Sequence, residues 1–323
     1  MKTEQRIDYL DIAKAICIVL VVVGHFNPSP APQSWRTAVD VIYTFHMPLF
    51  MFVSGFLFSK TYRRQPYLDF ISKKFRHLMV PYFLTSVFII GIKLTMQSIL
   101  PVKNTAVVQD LLTMFYRPSA AVHLWFVWAL MLLYLIAPLC RKRFAGIGFF
   151  AAAAALWLLP VNLPDIFSLN QFKSNAVFFS AGMLTGDFDR TPYFKKTLCP
   201  IIIALFAVLE YLFASGICVP VLKRVLPFVG ILFILTVSRL LSEALRGKAR
   251  TALLFVGKNS LIIFLLHSAF GEFGKAILSF VGITSESHFA LALLTFVLLG
   301  TCGPLLLKFL SSHIICASPD GTL

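Results

Sequence analysis

Two ionisable side chains, Lys14 and His25, stand eleven residues apart in one long apolar segment, DIAKAICIVLVVVGHF. Eleven residues make almost a whole number of helical turns, so both side chains fall on one face of a helix, about 16 Å apart along its axis. Ionisable groups inside a bilayer are costly and usually face a cavity where chemistry or transport takes place. The alignment therefore predicts a functional site on this helix.

The same helix begins with a charged ridge. Asp8, Asp11 and Lys14 follow one another at intervals of three, and this spacing lets Asp11 pair with Lys14. Each member of the functional pair also has a simpler interpretation. Lys14 could extend to the lipid headgroups with its stem in the apolar layer, and His25 could be an interfacial residue beside the GHFNP turn. Taken together, their shared face favours the functional interpretation.

A second histidine lies midway along the next apolar segment, YTFHMPLFMFVSGFLFS. His46 and Ser54 recur there at helical spacing, and Pro48 and Gly55 interrupt the regularity. An unpaired polar group in hydrocarbon is costly, so His46 needs a partner. The partner is either a substrate or a side chain of another helix, and the sequence leaves both open.

Further polar and aromatic candidates are spread over later segments. Trp125 opens the fourth segment, where an aromatic residue is typical of a belt at the membrane boundary. Asn259 and His267, in GKNSLIIFLLHSAF, are eight residues apart and lie on roughly the same side of a predicted helix. Glu210 is an acid well inside the seventh segment, and Lys93 in the third is a possible partner for it.

Lys73 and Arg76 form a basic pair directly before the third apolar segment. They are three residues apart and share a helical face, an arrangement that could bind phosphates. The alternative is ordinary retention of basic residues on the cytoplasmic side of a membrane protein, which suffices for most of this loop.

The composition indicates a polytopic membrane protein. Of the 323 residues, 58% are hydrophobic and only 13% are charged, against about a quarter charged in a soluble domain. The net charge of +15 does not predict nucleic-acid binding, because the basic residues gather in short loops between apolar segments. The six cysteines show no CxxC or Cys/His spacing, so the sequence predicts neither a metal site nor a redox pair.

Ten apolar segments have lengths suited to crossing a bilayer, and together they predict an all-α bundle of about ten transmembrane helices in a single domain, 1–323. The segments are 8–26, 40–59, 79–99, 122–140, 144–162, 175–187, 197–215, 220–241, 253–270 and 289–310. The 100–121 loop also contains an amphipathic stretch, AVVQDLLTMFY, which we expect to form an interfacial helix.

The distribution of Lys and Arg orients this bundle. If the N-terminus is cytoplasmic, the cytoplasmic segments hold 17 basic residues and the opposite loops hold 5. This bias predicts that both termini lie in the cytoplasm.

Four motifs in order, LDIAKAICIVLVVVGHF, FHMPLFMFVSGFLF, HLWFVWAL and VGKNSLIIFLLH, resemble the integral-membrane acyltransferase-3 family, in particular its fucose-4-O-acetylase-like bacterial O-acetyltransferases. Lys14 and His25 match the family's basic residue and histidine in the first helix, with lysine where arginine is common. Lys73 and Arg76 match a second basic pair, again with lysine in the first place. The resemblance implies acyl transfer, usually of acetyl from acetyl-CoA, to a carbohydrate hydroxyl.

Such a transfer requires removal of the hydroxyl proton and stabilisation of an oxyanion. We therefore assign His25 as general base or transient acyl carrier, with Lys14 and Asp11 as its catalytic partners. Lys73 and Arg76 are assigned to the CoA phosphates. The remaining candidates are assigned to substrate binding: His46, Ser54, Trp125, Asn259 and His267.

The expected co-substrate is acetyl-CoA or another acyl-CoA, with no permanently bound cofactor, and the expected partners are a carbohydrate acceptor and membrane lipid. The expected location is the bacterial cytoplasmic membrane. One alternative belongs to another class of protein: an exporter of a polysaccharide or lipid-linked sugar. Intramembrane histidines, Glu210 and a kinked second helix suit translocation as well as catalysis.

Overall fold

Helices make up the regular secondary structure of the described residues, which in the computed structural model are 7–62, 66–98, 105–119, 121–187, 196–217 and 220–316. The prediction of an all-helical membrane protein is confirmed. The α-helices of this part of the chain are α1 (Asp8–His25), α2 (Gln33–Thr61), α3 (Tyr67–Met96), α4 (Asp110–Thr113), α5 (Trp125–Ile136), α6 (Arg143–Leu158), α7 (Leu169–Asp187), α8 (Cys199–Ala214), α9 (Pro220–Ala244), α10 (Gly247–Lys258), α11 (Ser260–Phe280) and α12 (Phe289–Cys316).

Six helical segments within the described ranges are long and apolar enough to cross a membrane: Gln33–Thr61, Tyr67–Met96, Val122–Cys140, Pro220–Ala244, Ser260–Phe280 and Phe289–Leu310. Each overlaps one of the ten predicted spans. α6 and α8 are apolar but shorter, and α1 carries three charged residues within its 18 positions. The count of ten spans stays a prediction. So does the orientation of the termini, since residues 1–6 and 317–323 lie outside the described part of the chain.

The predicted ninth span, 253–270, is wrong as one continuous helix. α10 ends at Lys258 and α11 begins at Ser260, with Asn259 between them. The Asn259 side-chain amide donates to the Phe255 carbonyl oxygen at 2.8 Å. Such a local side-chain bond competes with the helical backbone bonds and favours a break.

Two other expectations about local structure also need correction. α3 begins at Tyr67, so Lys73 and Arg76 lie inside a helix and not before it, because the helix continues past its apolar part into a more polar stretch. The interfacial helix expected in the 100–121 loop is only the four-residue α4. Pro48 lies inside α2, as expected, and the helix continues through it.

The chain divides into two compact units. Unit 1 consists of Met1–His46 and Phe194–Leu323. Within it, α1 packs against α9, α10, α11 and α12, and ten of its residues are buried, which makes it the central helix of the unit. A helix enclosed by protein can carry ionisable side chains that would be costly on a lipid-facing helix.

Unit 2, Met47–Tyr193, contains the second half of α2 and the helices from α3 to α7. In this unit α2 and α7 touch backbone to backbone at a pair of glycines. A Cβ on Gly55 would lie 2.8 Å from the Phe179 carbonyl carbon, and one on Gly182 would lie 2.8 Å from the Phe52 carbonyl carbon. Small residues allow this close approach, the usual way in which membrane helices associate.

Candidate active site

The lysine of α1 is held by an ion pair inside unit 1. Lys14 Nζ lies 2.7 Å from Asp11 Oδ1, with exposed side-chain fractions of 19% and 6%. The pairing predicted from their spacing is therefore confirmed. A neighbouring helix makes room for it: Gly257 of α10 packs on the α1 backbone so closely that a Cβ there would lie 2.7 Å from the Asp11 carbonyl carbon. The contact between α10 and α1 thus fixes the turn that carries Asp11.

His25, the last residue of α1, is half-buried and meets a second histidine. Its ring centroid lies 4.7 Å from that of His267 on α11, with an edge-to-face angle of 79°. His267 is fully buried. The two histidines are more than 240 residues apart in the chain, so spacing within one helix could not predict their contact.

His46, buried on α2, belongs to the same cluster through Tyr43. The Tyr43 ring lies 4.9 Å from the His46 ring and 6.4 Å from the His25 ring, measured between centroids. Three histidines that the sequence singled out separately are therefore joined in unit 1 by ring contacts. Sequence reasoning missed Tyr43. The signal that could have found it is its position one helical turn before His46.

The three imidazoles share one hydrogen-bonding mode. Nδ1 lies 2.8 Å from a carbonyl oxygen of the preceding turn in each case: Val21 for His25, Ile42 for His46 and Phe264 for His267. A carbonyl oxygen only accepts, so Nδ1 carries the hydrogen and the lone pair of the neutral ring is on Nε2. This tautomer makes Nε2 the nitrogen that can take a proton from a substrate.

Asn259, by contrast, lies at the junction between α10 and α11. Its Oδ1 accepts a hydrogen bond from Lys308 Nζ of α12 at 2.6 Å. This bond and the one to the Phe255 carbonyl engage both ends of the side-chain amide. The shared helical side predicted for Asn259 and His267 therefore does not describe them, because the helix breaks at Asn259.

Glu210 of α8 is also buried in unit 1. Its Oε1 accepts a hydrogen bond from Thr44 Oγ1 of α2 at 2.8 Å. Thr44 follows Tyr43 directly, so this bond ties the α2 turn beside the histidines to α8. The partner that the structure shows for Glu210 is thus a hydroxyl of α2, whereas the sequence had suggested Lys93.

The remaining predicted site residues belong to unit 2. Ser54 and Trp125 are half-buried there, on α2 and α5, and Lys73 and Arg76 are exposed on α3. Lys74, between them, points instead at aromatic rings: its Nζ lies 4.3 Å from the Tyr134 ring centroid. The roles predicted for these residues stay predictions.

Among the residues that the structure describes, no group of three or more His, Cys, Asp and Glu side chains could hold a metal ion. A half-buried imidazole with Nε2 as its basic atom can remove a proton from a hydroxyl and return it to a leaving group. The buried Asp11–Lys14 pair, about three to four turns away on the same helix, supplies a fixed charge distribution.

Comparison with known proteins assigns the chain to a family. Residues 7–312 match the family model described as an acyltransferase domain, known as acyltransferase-3. Nodulation protein NolL from Mesorhizobium japonicum (strain LMG 29417 / CECT 9101 / MAFF 303099) is 32% identical over 133 residues, 39% of this chain and 34% of that protein. NolL from Sinorhizobium fredii (strain NBRC 101917 / NGR234) is 29% identical over 164 residues, 47% of this chain and 42% of that protein.

The chain thus spans less than half the length of these curated relatives. No solved structure matches it significantly.

Proposed function

We propose that this chain, which belongs to the acyltransferase-3 family, is a membrane acyltransferase that transfers an acetyl group from acetyl-CoA to a hydroxyl of a cell-surface carbohydrate or of its lipid-linked precursor. The observation that carries the proposal is the environment of His25. Its Nδ1 is bonded to the Val21 carbonyl oxygen, so Nε2 is the basic nitrogen, and the ring is half-buried at the end of the central helix of unit 1.

The reaction balances with one histidine. His25 Nε2 takes the proton of the acceptor hydroxyl as its oxygen attacks the thioester carbonyl carbon. The tetrahedral intermediate then collapses with cleavage of the carbon–sulfur bond. The imidazolium returns its proton to the departing sulfur, which leaves as the CoA thiol. The products are the acetyl ester and free CoA, and His25 is again neutral.

Lys14 and Asp11 would then orient the donor and take no part in the proton transfer. An ammonium that is neutralised by a buried carboxylate can orient a polar group of the donor without placing a net charge in the apolar layer. The ion pair at 2.7 Å supports this assignment. It also opposes the interpretation of Lys14 as a residue that simply extends to the headgroups.

On the same proposal, the exposed Lys73 and Arg76 bind the CoA phosphates, since charge-assisted bonds to phosphate suit exposed basic side chains on one face. Ser54 and Trp125 remain candidates for contact with the acceptor. His46 and His267 are buried, with exposed fractions of 5% and 0%. We therefore assign these two to the surroundings of His25, whereas the sequence had assigned them to direct substrate binding. The membrane in question would be the bacterial cytoplasmic membrane.

The test uses purified protein in detergent, labelled acetyl-CoA and glycan extracted from the host. We expect label to appear in the glycan, and we expect His25→Ala to lower the rate by at least about a hundredfold, the order of a lost general base. His288→Ala is the matched control, because His288 is exposed and bonded to Ser287. Transfer retained in His25→Ala would refute the catalytic role of His25. A protein that carries sugar across vesicles but transfers no label would be an exporter.

A further inference from the structure

The end of α1 that carries His25 is held by side chains of α2. The last carbonyl groups of a helix lack partners within the helix and need donors from elsewhere. Tyr43 donates its hydroxyl hydrogen to the Gly24 carbonyl oxygen at 2.8 Å. Trp35 donates its indole N–H to the Phe26 carbonyl oxygen at 3.0 Å. The two accepting residues flank His25 on either side in the chain, so α2 fixes the backbone through His25.

The Tyr43 contact depends on the glycine that precedes His25. A Cβ on Gly24 would lie 2.7 Å from Cε1 of the Tyr43 ring, closer than real side chains approach. The absence of a side chain at Gly24 lets the phenol ring lie against α1 and lets its hydroxyl reach the carbonyl. The Gly-His dipeptide at the end of α1 and Tyr43 of α2 therefore form one fitted contact.

The ring itself adds a second constraint. It lies 6.4 Å from the His25 ring and 4.9 Å from the His46 ring between centroids, and His267 packs edge-to-face on His25. The imidazole is thus oriented by its own Nδ1 bond and by neighbouring rings. A simpler interpretation is that Tyr43, which is 46% exposed, belongs to an aromatic belt. In a belt, however, the hydroxyl is directed to the headgroups, whereas here it is bonded to α1.

We propose that Tyr43 is a positioning residue for His25: its hydroxyl fixes the end of α1, and its ring sets the direction of the imidazole. This inference rests on the proposed function, because it needs His25 as the base. Tyr43 exchanges no proton with the substrate in this account. It acts by keeping Nε2 in a productive geometry, and small misplacements of a catalytic group are costly to the rate.

Tyr43→Phe is the sharpest test, since it keeps the ring and removes only the hydroxyl. We expect kcat for acetyl transfer to glycan to fall about tenfold, the order expected for one oriented hydrogen bond. KM for acetyl-CoA should be unchanged, and the thermal unfolding midpoint in detergent should fall only slightly, as for the loss of one hydrogen bond. Gly24→Ala should act in the same direction, because its methyl group would displace the ring. Tyr211→Phe is the matched control, on a side chain of α8 that is 71% exposed.

A second readout does not depend on turnover. Diethyl pyrocarbonate carbethoxylates unprotonated imidazole nitrogen, and mass spectrometry of the peptide containing His25 gives the rate of its modification. We expect Tyr43→Phe, but not Tyr211→Phe, to change this rate several-fold.

The two readouts, kcat and the modification rate of His25, distinguish failure of the proposed function from failure of the positioning role. If the wild type transfers acetyl, a kcat for Tyr43→Phe that equals that of Tyr211→Phe overturns the proposal. If the wild type transfers none, the proposed function fails, and the modification rate alone decides whether Tyr43 orients His25. An unchanged rate then overturns the positioning role as well.

Discussion

The two compact units differ in how many ionisable side chains they bury. Unit 1 buries Asp11, His46, Glu210 and His267, and each has a hydrogen-bonding or ionic partner at 2.7 to 2.8 Å. Within the described part of unit 2, Asp110 is the single ionisable residue among the buried polar side chains. Burial of several ionisable groups in one unit is costly for folding and indicates a functional use.

Two cations of unit 2 lie against aromatic rings. Lys74 Nζ lies 4.3 Å from the Tyr134 ring centroid, and the Arg141 guanidinium lies 5.3 Å from that of Tyr62. Cations in such places remain accessible to anions while the rings stabilise them. Changes inside unit 1 should therefore lower kcat, whereas replacement of Lys73 and Arg76, the cations of unit 2 assigned to the donor, should raise KM for the anionic donor.

The largest effect that tests this contrast is expected for Asp11→Asn. It leaves the Lys14 ammonium without its carboxylate, and losing one member of a buried pair costs about 3 kcal/mol. We expect a clearly lower thermal unfolding midpoint in detergent and a loss of acetyl transfer.

The control is a pair of the same spacing and distance in an exposed place. Glu272 and Lys275 are also three residues apart, at 2.7 Å, but the Glu272 side chain is 53% exposed. Glu272→Gln should change the stability by less than about 1 kcal/mol. Equal effects of the two substitutions would mean that the Asp11–Lys14 pair is as well solvated as the exposed one.

Gly257→Ala is expected to have the next largest effect. The added methyl group would meet the Asp11 backbone and push α10 away from α1, at a cost of about 1–3 kcal/mol for overpacking. Because the displaced turn carries Asp11 and Lys14, kcat per folded molecule should fall too. Unfolding midpoints and single-enzyme kinetics measure the two effects separately.

Two further glycines make this test specific. Gly55→Ala, at the contact between α2 and α7 in unit 2, should lower stability to a similar extent without lowering kcat per folded molecule. Gly148→Ala, where no atom lies within 4 Å of the added Cβ, should be neutral or stabilise the helix by about 0.5–1 kcal/mol. A fall in kcat for Gly55→Ala equal to that for Gly257→Ala would break the contrast between the units.

The sequence predicts the parts of this molecule that depend on local spacing. Apolar length identifies helices such as α5 and α9, and the interval of three predicts the Asp11–Lys14 pair. It also singles out each histidine, because an imidazole in an apolar helix is costly anywhere. What spacing cannot supply is the partner across helices, so the contact of His25 with His267 and the bond from Tyr43 to Gly24 appear only in the folded chain.

The errors in local structure have a related origin. Hydropathy reports where a helix is apolar, and it does not report where a helix ends. It therefore placed Lys73 before α3, although the helix extends back to Tyr67 through a more polar stretch. It likewise joined α10 to α11, because hydropathy does not report the hydrogen bonds that the Asn259 side chain makes at the break.

The smallest expected effect concerns the donor and tests unit 2. Replacing Lys73 and Arg76 together by Gln should raise KM for acetyl-CoA about tenfold and leave kcat unchanged, because one charge-assisted bond to a phosphate contributes on the order of 1.5–3 kcal/mol before solvent screening. Both side chains are exposed on α3, so stability should change little. Initial rates at varied acetyl-CoA concentration give both constants.

Lys74→Gln is the control for that experiment, since Lys74 shares the helix and the charge but lies over the Tyr134 ring. It should lose a cation–π contact, worth about 0.5–1 kcal/mol of stability at an exposed site, and leave KM unchanged. Acetyl-dephospho-CoA lacks the 3′-phosphate. If that phosphate is the bound group, the difference in KM between the double variant and the wild type should be smaller for this donor than for acetyl-CoA. If Lys74→Gln raises KM and the double variant does not, Lys74 binds the anionic groups of the donor. Phosphate binding is then assigned to Lys74 instead of Lys73 and Arg76.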